Sequence, residues 1–170
     1  MRLFIAVQLN DTMRDALGSV QSFLRRHGVR GNFTRAENLH LTLAFVGEYA
    51  HPEAVAEVLE TVRFTPFPMR LDGFGHFGRL YWIGVNGGEA LPACARRLRR
   101  ALAQEGVPFD RKKFSPHITL MRQASLEGDA AFPGVVIPEA SMEVRALSLM
   151  RSDRGKGGMV YTEIARVSAE

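Results

Sequence analysis

The segment FSPHITLMR, residues 114–122, alternates as a β-strand does, yet it places an imidazole and a hydroxyl two residues apart, at His117 and Thr119. Residues two apart in a strand share a face. His117 and Thr119 therefore project together, while Ile118 and Leu120 project the other way into an apolar layer. A near copy, HLTL, stands at residues 40–43: His40 and Thr42 share one face, Leu41 and Leu43 the other. The two histidines lie 77 residues apart.

Working outward, the segments before both motifs read in the same order of strand, helix, strand. RLFIAVQLN is rich in β-formers and ends at Asp11, an expected helix N-cap. Met13, Leu17, Val20 and Leu24 keep helical spacing, and Gly28 is an expected stop. A polar loop, GNFTRAEN, leads to LHLTLAFVG. In the second copy RLYWIGVNGG is strand-like, and Pro92 sits in the first turn of a helix carrying Leu91, Leu98 and Leu102. Gly106 ends that helix, the loop DRKK follows, and then FSPHITLM. Arg2-Leu3 and Arg79-Leu80 are 77 apart, Gly28-Val29 and Gly106-Val107 are 78 apart. The register implies an internal duplication, about residues 2–47 and 79–122, inside a single bilobal domain of residues 1–170.

Between the copies, Pro52 opens a short helix through Val55, Leu59 and Val62, and FPMRLDGFGHF reads as a strand. Residues 141–151 and 159–167 read as strands joined by SDRGKGG. The expected class is α+β: two pseudo-symmetric lobes, each a mostly antiparallel sheet with helices on its outer face, and a cleft between them.

Composition bounds the remaining classes. The chain has 170 residues, 46% hydrophobic and 24% charged, which suits one soluble globular domain rather than a disordered or membrane-embedded chain. Its first apolar run, Leu3 to Val7, is too short for a signal-peptide core, and no stretch approaches the roughly 18 apolar residues of a spanning helix. The single cysteine, Cys94, excludes an intrachain disulfide and falls on an apolar helix face. A cytoplasmic protein is expected, and nothing calls for an obligate protein partner, so a monomer is expected as well. The 22 basic residues exceed the 18 acidic ones, a mild excess compatible with a polyanionic partner. The run Arg96, Arg97, Arg99 and Arg100 lies opposite an apolar stripe and reads as a solvated helix face. His27, His51 and His76 read as surface or loop residues.

One His-Thr tetrapeptide on a polar strand face needs no function. Two, on corresponding strands of related lobes, would present two imidazoles and two hydroxyls across one groove. An imidazole near pKa 6.5 is available both as base and as acid. Phosphodiester hydrolysis needs both: water loses a proton as it attacks phosphorus, and the departing alkoxide gains one. The threonines would donate to the non-bridging phosphate oxygens. That scheme requires no metal or other cofactor, and a zinc site is disfavoured because neither motif has extra Cys or clustered acidic neighbours.

HLTL at 40–43 and HITL at 117–120 resemble the paired His-x-Thr-x signature of the 2H phosphoesterase superfamily. RLFIAVQL, NLHLTLAFVGE, SPHITLMR and the late GGMVYTEI resemble the RNA 2',3'-cyclic phosphodiesterases, also called 2'-5' RNA ligases. The resemblance implies metal-independent opening of a 2',3'-cyclic phosphate at an RNA end to leave a 2'-phosphate. It implies that His40 is the proton donor to the leaving 3'-oxygen and His117 the proton acceptor that activates water. It also gives Arg122 a phosphate contact, although five residues beyond His117 a regular strand would turn it to the opposite face. Either the strand bulges or ends near Met121, or Arg122 is a surface residue.

Phe4, and after it Tyr161, are candidates to stack on a nucleobase. The loop from Arg151 to Gly158, with Arg151, Arg154, Lys156 and three glycines, reads either as a cover over a bound polyanion or as a mobile hairpin tip. Alternative readings keep the site and change the reaction: a phosphodiesterase of small cyclic nucleotides, an ATP-independent 2'-5' ligase, or a non-catalytic RNA-end-binding module.

Overall fold

The computed structural model describes residues 1–126 and 132–170. Its strands are β1 (Arg2–Gln8), β2 (Val29–Phe33), β3 (His40–Glu48), β4 (Phe67–Phe77), β5 (Leu80–Asn86), β6 (His117–Leu126), β7 (Ser141–Val144), β8 (Ala146–Gly155) and β9 (Gly158–Ser168). The helices are α1 (Asp11–Arg26), α2 (Pro52–Glu60) and α3 (Ala90–Gln104). One sheet has the order β3-β1-β8-β9 and the other β2-β6-β5-β4-β7, with neighbours antiparallel throughout. Two antiparallel sheets with three helices give the α+β class that the pattern implies.

Alternation decides which side of each sheet the helices cover. In β1, Leu3, Ile5 and Val7 join the main core, whereas Phe4 and Ala6 belong with Met150 to a small second cluster on the opposite face. The main core runs through both sheets, so the lobes share one interior. Both long helices end on a glycine in the left-handed region, Gly28 at φ 84° and Gly106 at φ 69°, where a side chain would be strained. No helix among the described residues is long and apolar enough to cross a membrane.

Four local features differ from the sequence reading. Asn10, not Asp11, caps α1: its Oδ1 accepts from the Met13 amide at 3.0 Å. Part of the loop GNFTRAEN is strand β2, because its backbone pairs with β6. The stretch 141–151 is two strands, β7 beside β4 and β8 beside β1, so the chain changes sheets at Arg145. Residues 151–155 are paired backbone of the β8–β9 hairpin, with Lys156 and Gly157 as its turn, and Arg35 Nη2 (2.5 Å) and Asn38 Nδ2 (2.9 Å) both donate to the Met159 carbonyl just beyond it.

The lobes also differ from sequence halves. β2 follows β1 in the chain but joins the other sheet, and α1 packs on β2 and β7 of that sheet. α3 follows β5 yet packs on β3 of the first sheet. Each strand-helix-strand unit thus lends its helix to the sheet that it does not begin.

Candidate active site

His40 opens β3 and His117 opens β6, and these strands lie beside one another where the sheets meet. Each ring is oriented by the carbonyl two residues back. His40 Nδ1 is 2.7 Å from the Asn38 oxygen and His117 Nδ1 is 2.6 Å from the Ser115 oxygen. A carbonyl only accepts, so both Nδ1 atoms carry hydrogen and both Nε2 atoms are left for chemistry. Pro116 assists by restricting Ser115 to extended backbone. Asn38 is itself buried, tied through its side chain to Met159, so the His40 anchor is fixed to the β8–β9 hairpin.

The two strands share an irregularity that settles the parity of Arg122. Against β5, Thr119 faces Trp82 and Met121 faces Tyr81, so Leu120 is an extra residue. Against β1, Thr42 faces Ala6 and Ala44 faces Ile5, so Leu43 is the extra residue in β3. In both strands two consecutive buried residues follow the threonine, Leu43-Ala44 and Leu120-Met121. The bulge resets the alternation. Arg122 thereby returns to the face of His117 and Thr119, and Phe45, 77 residues before it, returns to the face of His40 and Thr42.

These side chains line a cavity of about 380 Å³. His40, Thr42, His117, Thr119 and Arg122 are all on its wall, with Phe4 and Tyr161. Arg154, from the loop read as a possible cover over a polyanion, is there too, as are Arg2, Asn38 and Phe45, which sequence reasoning did not select for the site. No Asp or Glu lines it among the described residues. Arg2 is taken up by the Phe45 ring, its guanidinium 5.1 Å from the centroid. The Arg122 guanidinium has no hydrogen bond or ion pair among the described residues, so an unneutralised cation faces the imidazoles.

Phe4 is 4% exposed and lies under His40, ring centroids 4.8 Å apart, so it forms a floor and offers a base no open face. Tyr161 is half-buried and meets His40 edge-on at 5.3 Å and 88°. Thr42 Oγ1 is 2.9 Å from His40 Nε2, so this hydroxyl serves the imidazole while no substrate is bound. His27, His51 and His76 are exposed and outside the cavity.

Burial is the main cause that holds His40 below the ordinary imidazole value of 6.5; the Arg122 and His117 charges act in the same direction, and the Asn38 hydrogen bond opposes them. The unfolded chain therefore binds the proton more readily. The His40 contribution to stability is intact above pH 6.5 and is lost as pH falls through the folded value. A phosphate placed beside Arg122 reverses that charge effect. NMR titration of the imidazole should show His40 below 6.5 in the free protein and higher in Arg122→Ala or with bound inorganic phosphate. A value that neither change moves would contradict this electrostatic coupling.

The bulge carbonyls are held from behind by the exchanged helices. Gln21 of α1, 5% exposed, donates Nε2 to the Leu120 oxygen at 3.0 Å. Arg99 of α3 donates Nε to the Leu43 oxygen at 3.0 Å and Nη1 to the Lys112 oxygen at 2.7 Å. Arg99 is half-buried between Phe109 and Phe114, and burial lowers its pKa, so it is not part of a solvated face like its neighbours Arg96, Arg97 and Arg100. Cys94 on the same helix is buried, its thiol pushed up to about 11 by desolvation. Arg99→Met should cost about 1–3 kcal/mol by stranding the Leu43 oxygen. Gln21→Leu should cost less, because the Thr34 amide still reaches the Leu120 oxygen at 2.9 Å. Denaturant melts check this order, and equal stability of both variants with the parent would show that the carbonyls find other donors.

Comparison with known proteins shows the family of the whole chain. Residues 13–156 match the family model of the 2'-5' RNA ligase superfamily. A curated Archaeoglobus fulgidus protein named RNA 2',3'-cyclic phosphodiesterase is 32% identical over 177 residues, covering 96% of this chain and 98% of its own. The apo crystal structure of Escherichia coli LigT superposes with a TM-score of 0.80 at 31% identity, over 99% of this chain and 96% of that one. LigT complexed with 3'-AMP superposes at 0.75 with 30% identity over the same shares. By model, relatives and fold alike, the chain belongs to the 2'-5' RNA ligase superfamily.

Proposed function

We propose that the protein is an RNA 2',3'-cyclic phosphodiesterase that opens the cyclic phosphate at an RNA end and leaves a 2'-phosphate. The observation that carries this reading is the pair of imidazoles, each locked through Nδ1 and each presenting Nε2 to a cavity that has, among the described residues, an unpaired arginine, Arg122, and no carboxylate. The names of the relatives and the nucleotide held by LigT support it.

In the proposed reaction His117 Nε2 takes a proton from water as its oxygen attacks phosphorus. The P–O3' bond breaks on the opposite side, and His40 Nε2 gives its proton to O3'. The lowered pKa of free His40 is at odds with a donor role until the anion arrives. The phosphate then offsets Arg122 and favours the protonated ring. Arg122, Thr42 and Thr119 hold the non-bridging oxygens, whose charge grows in the transition state. No metal takes part in this scheme.

The test is incubation of an RNA oligonucleotide ending in a 2',3'-cyclic phosphate with the protein and a chelator. Loss of the cyclic end at an undiminished rate is expected. A protein that binds the oligonucleotide but never turns it over is a binding module, and activity that requires added metal removes the metal-free mechanism.

A further inference from the structure

Because the Arg122 guanidinium faces the cavity with no hydrogen bond or ion pair among the described residues, its main chain, and not a partner, sets its direction. The bulge at Leu120 gives Arg122 its face of β6. The residue after it shows how the main chain is held there.

Gln123, at φ 57°, is the one non-glycine residue with a left-handed backbone among the described residues. Side chains resist that region, and glycine enters it freely. The cause is a second bulge in β6. Against β2, Arg122 faces Asn32 and Ser125 faces Arg30, so Gln123 and Ala124 together oppose the single residue Gly31. A left-handed first residue marks one type of bulge, and glycine ordinarily supplies it. A glutamine in that place persists only where its surroundings over-determine the backbone, and such outliers gather at functional sites.

The surroundings of Gln123 do so on both edges of β6. On one edge Arg79, at the tip of the β4–β5 hairpin, donates Nη2 to the Gln123 oxygen and Nε to the Ala124 oxygen, at 3.0 Å each. Its own carbonyl accepts from the Ala124 amide at 3.0 Å. On the other edge Gly31 lies so close that a Cβ there would come within 2.8 Å of the Arg122 oxygen and 3.0 Å of the Gln123 oxygen. Beside it Asn32 Nδ2 donates to Gln123 Oε1 at 3.0 Å. These contacts grip the main chain and the Gln123 amide, and leave the Arg122 guanidinium free for a ligand. Neither Arg79 nor Gln123 lines the cavity.

We infer that Gln123 and Arg79 are positioning residues that aim Arg122 at the phosphate: the left-handed backbone of Gln123 directs the arginine, and the Arg79 guanidinium locks that turn. The inference rests on the reading above, in which Arg122 holds the non-bridging oxygens. Neither residue touches the substrate, and both act through the place of one guanidinium, where a misplacement of about 1 Å can cost about a hundredfold in rate.

The test measures kcat/KM on the cyclic-phosphate oligonucleotide and the affinity for inorganic phosphate, the latter from the NMR signals of His40 and His117, in the parent and in an Arg122→Ala background. In the parent, Gln123→Val should lower kcat/KM about ten- to a hundredfold and weaken phosphate binding, because a β-branched residue is excluded from the left-handed region. Gln123→Gly should restore both, since glycine takes that conformation without strain. Arg79→Met keeps the stem and removes the clamp. It should lower both quantities as well, and it carries the test if Gln123→Val does not fold. In the Arg122→Ala background neither variant should lower them further, because nothing remains to aim. Equal losses in both backgrounds would reveal a general structural role and overturn the inference. Parental values in both variants, or a loss in Gln123→Gly as large as in Gln123→Val, overturn it too. Phosphate binding needs no turnover, so a protein that shows these phosphate effects but opens no cyclic phosphate keeps the inference and loses the proposed hydrolysis. Parental kcat/KM and phosphate affinity in Arg122→Ala itself overturn the aiming together with the phosphate role.

Discussion

His117→Ala should lower turnover of an RNA 2',3'-cyclic phosphate by about a hundred- to ten-thousand-fold, and His40→Ala by a comparable factor, the usual worth of one positioned proton transfer. The argument is geometric. Each ring has a single nitrogen left for the substrate, because the other is committed to the carbonyl of Ser115 or Asn38. No Asp, Glu or Lys lines the cavity to act in its place among the described residues. His→Asn is the better control for folding, since its amide N–H can still meet the carbonyl while no basic nitrogen remains. The double variant should lose less than the product of the two single losses, as expected for groups that act in one step. Steady-state rates on the oligonucleotide check these values, and either single variant retaining parental activity would remove that histidine from the mechanism.

Arg122→Ala should cost about a hundredfold in kcat/KM, on the scale of removing one charged donor from a site where negative charge develops. The guanidinium faces the cavity with no carboxylate partner among the described residues, so none of these competes with a phosphate for it. Arg122→Lys should recover part of the loss, because an ammonium keeps the charge but not the forked geometry. A change confined to KM would mean that Arg122 binds substrate and transition state equally. No change in either parameter would return it to an ordinary surface arginine.

Arg122 also shows where the sequence was legible and where it was not. The two motifs, their strands and the flanking helices follow from periods of two and 3.6 residues, which are local properties. The bulges are written in the sequence as well: after each His-x-Thr the alternation is broken by adjacent apolar residues, Leu43-Ala44 and Leu120-Met121. That signal would have placed Arg122 in the cleft and pointed to Phe45 as its counterpart. Arg99 is different. Its apolar neighbours on α3 show which face of the helix is buried, but its acceptor is a carbonyl 56 residues away, beyond reach of any helical pattern. The same holds for β2, whose residues Val29–Phe33 include a glycine and an asparagine and pair only because β6 offers an edge. The exchange of helices between lobes is a long-range fact for the same reason.

The most direct test of the central claim is the identity of the product. An RNA oligonucleotide with a 2',3'-cyclic phosphate, treated with the protein and a chelator, should yield an end carrying a 2'-phosphate and a free 3'-hydroxyl. That outcome requires the P–O3' bond, and not P–O2', to break, as it does in the proposed in-line attack of water. A 3'-phosphate end, or an unopened cyclic phosphate, would contradict the account.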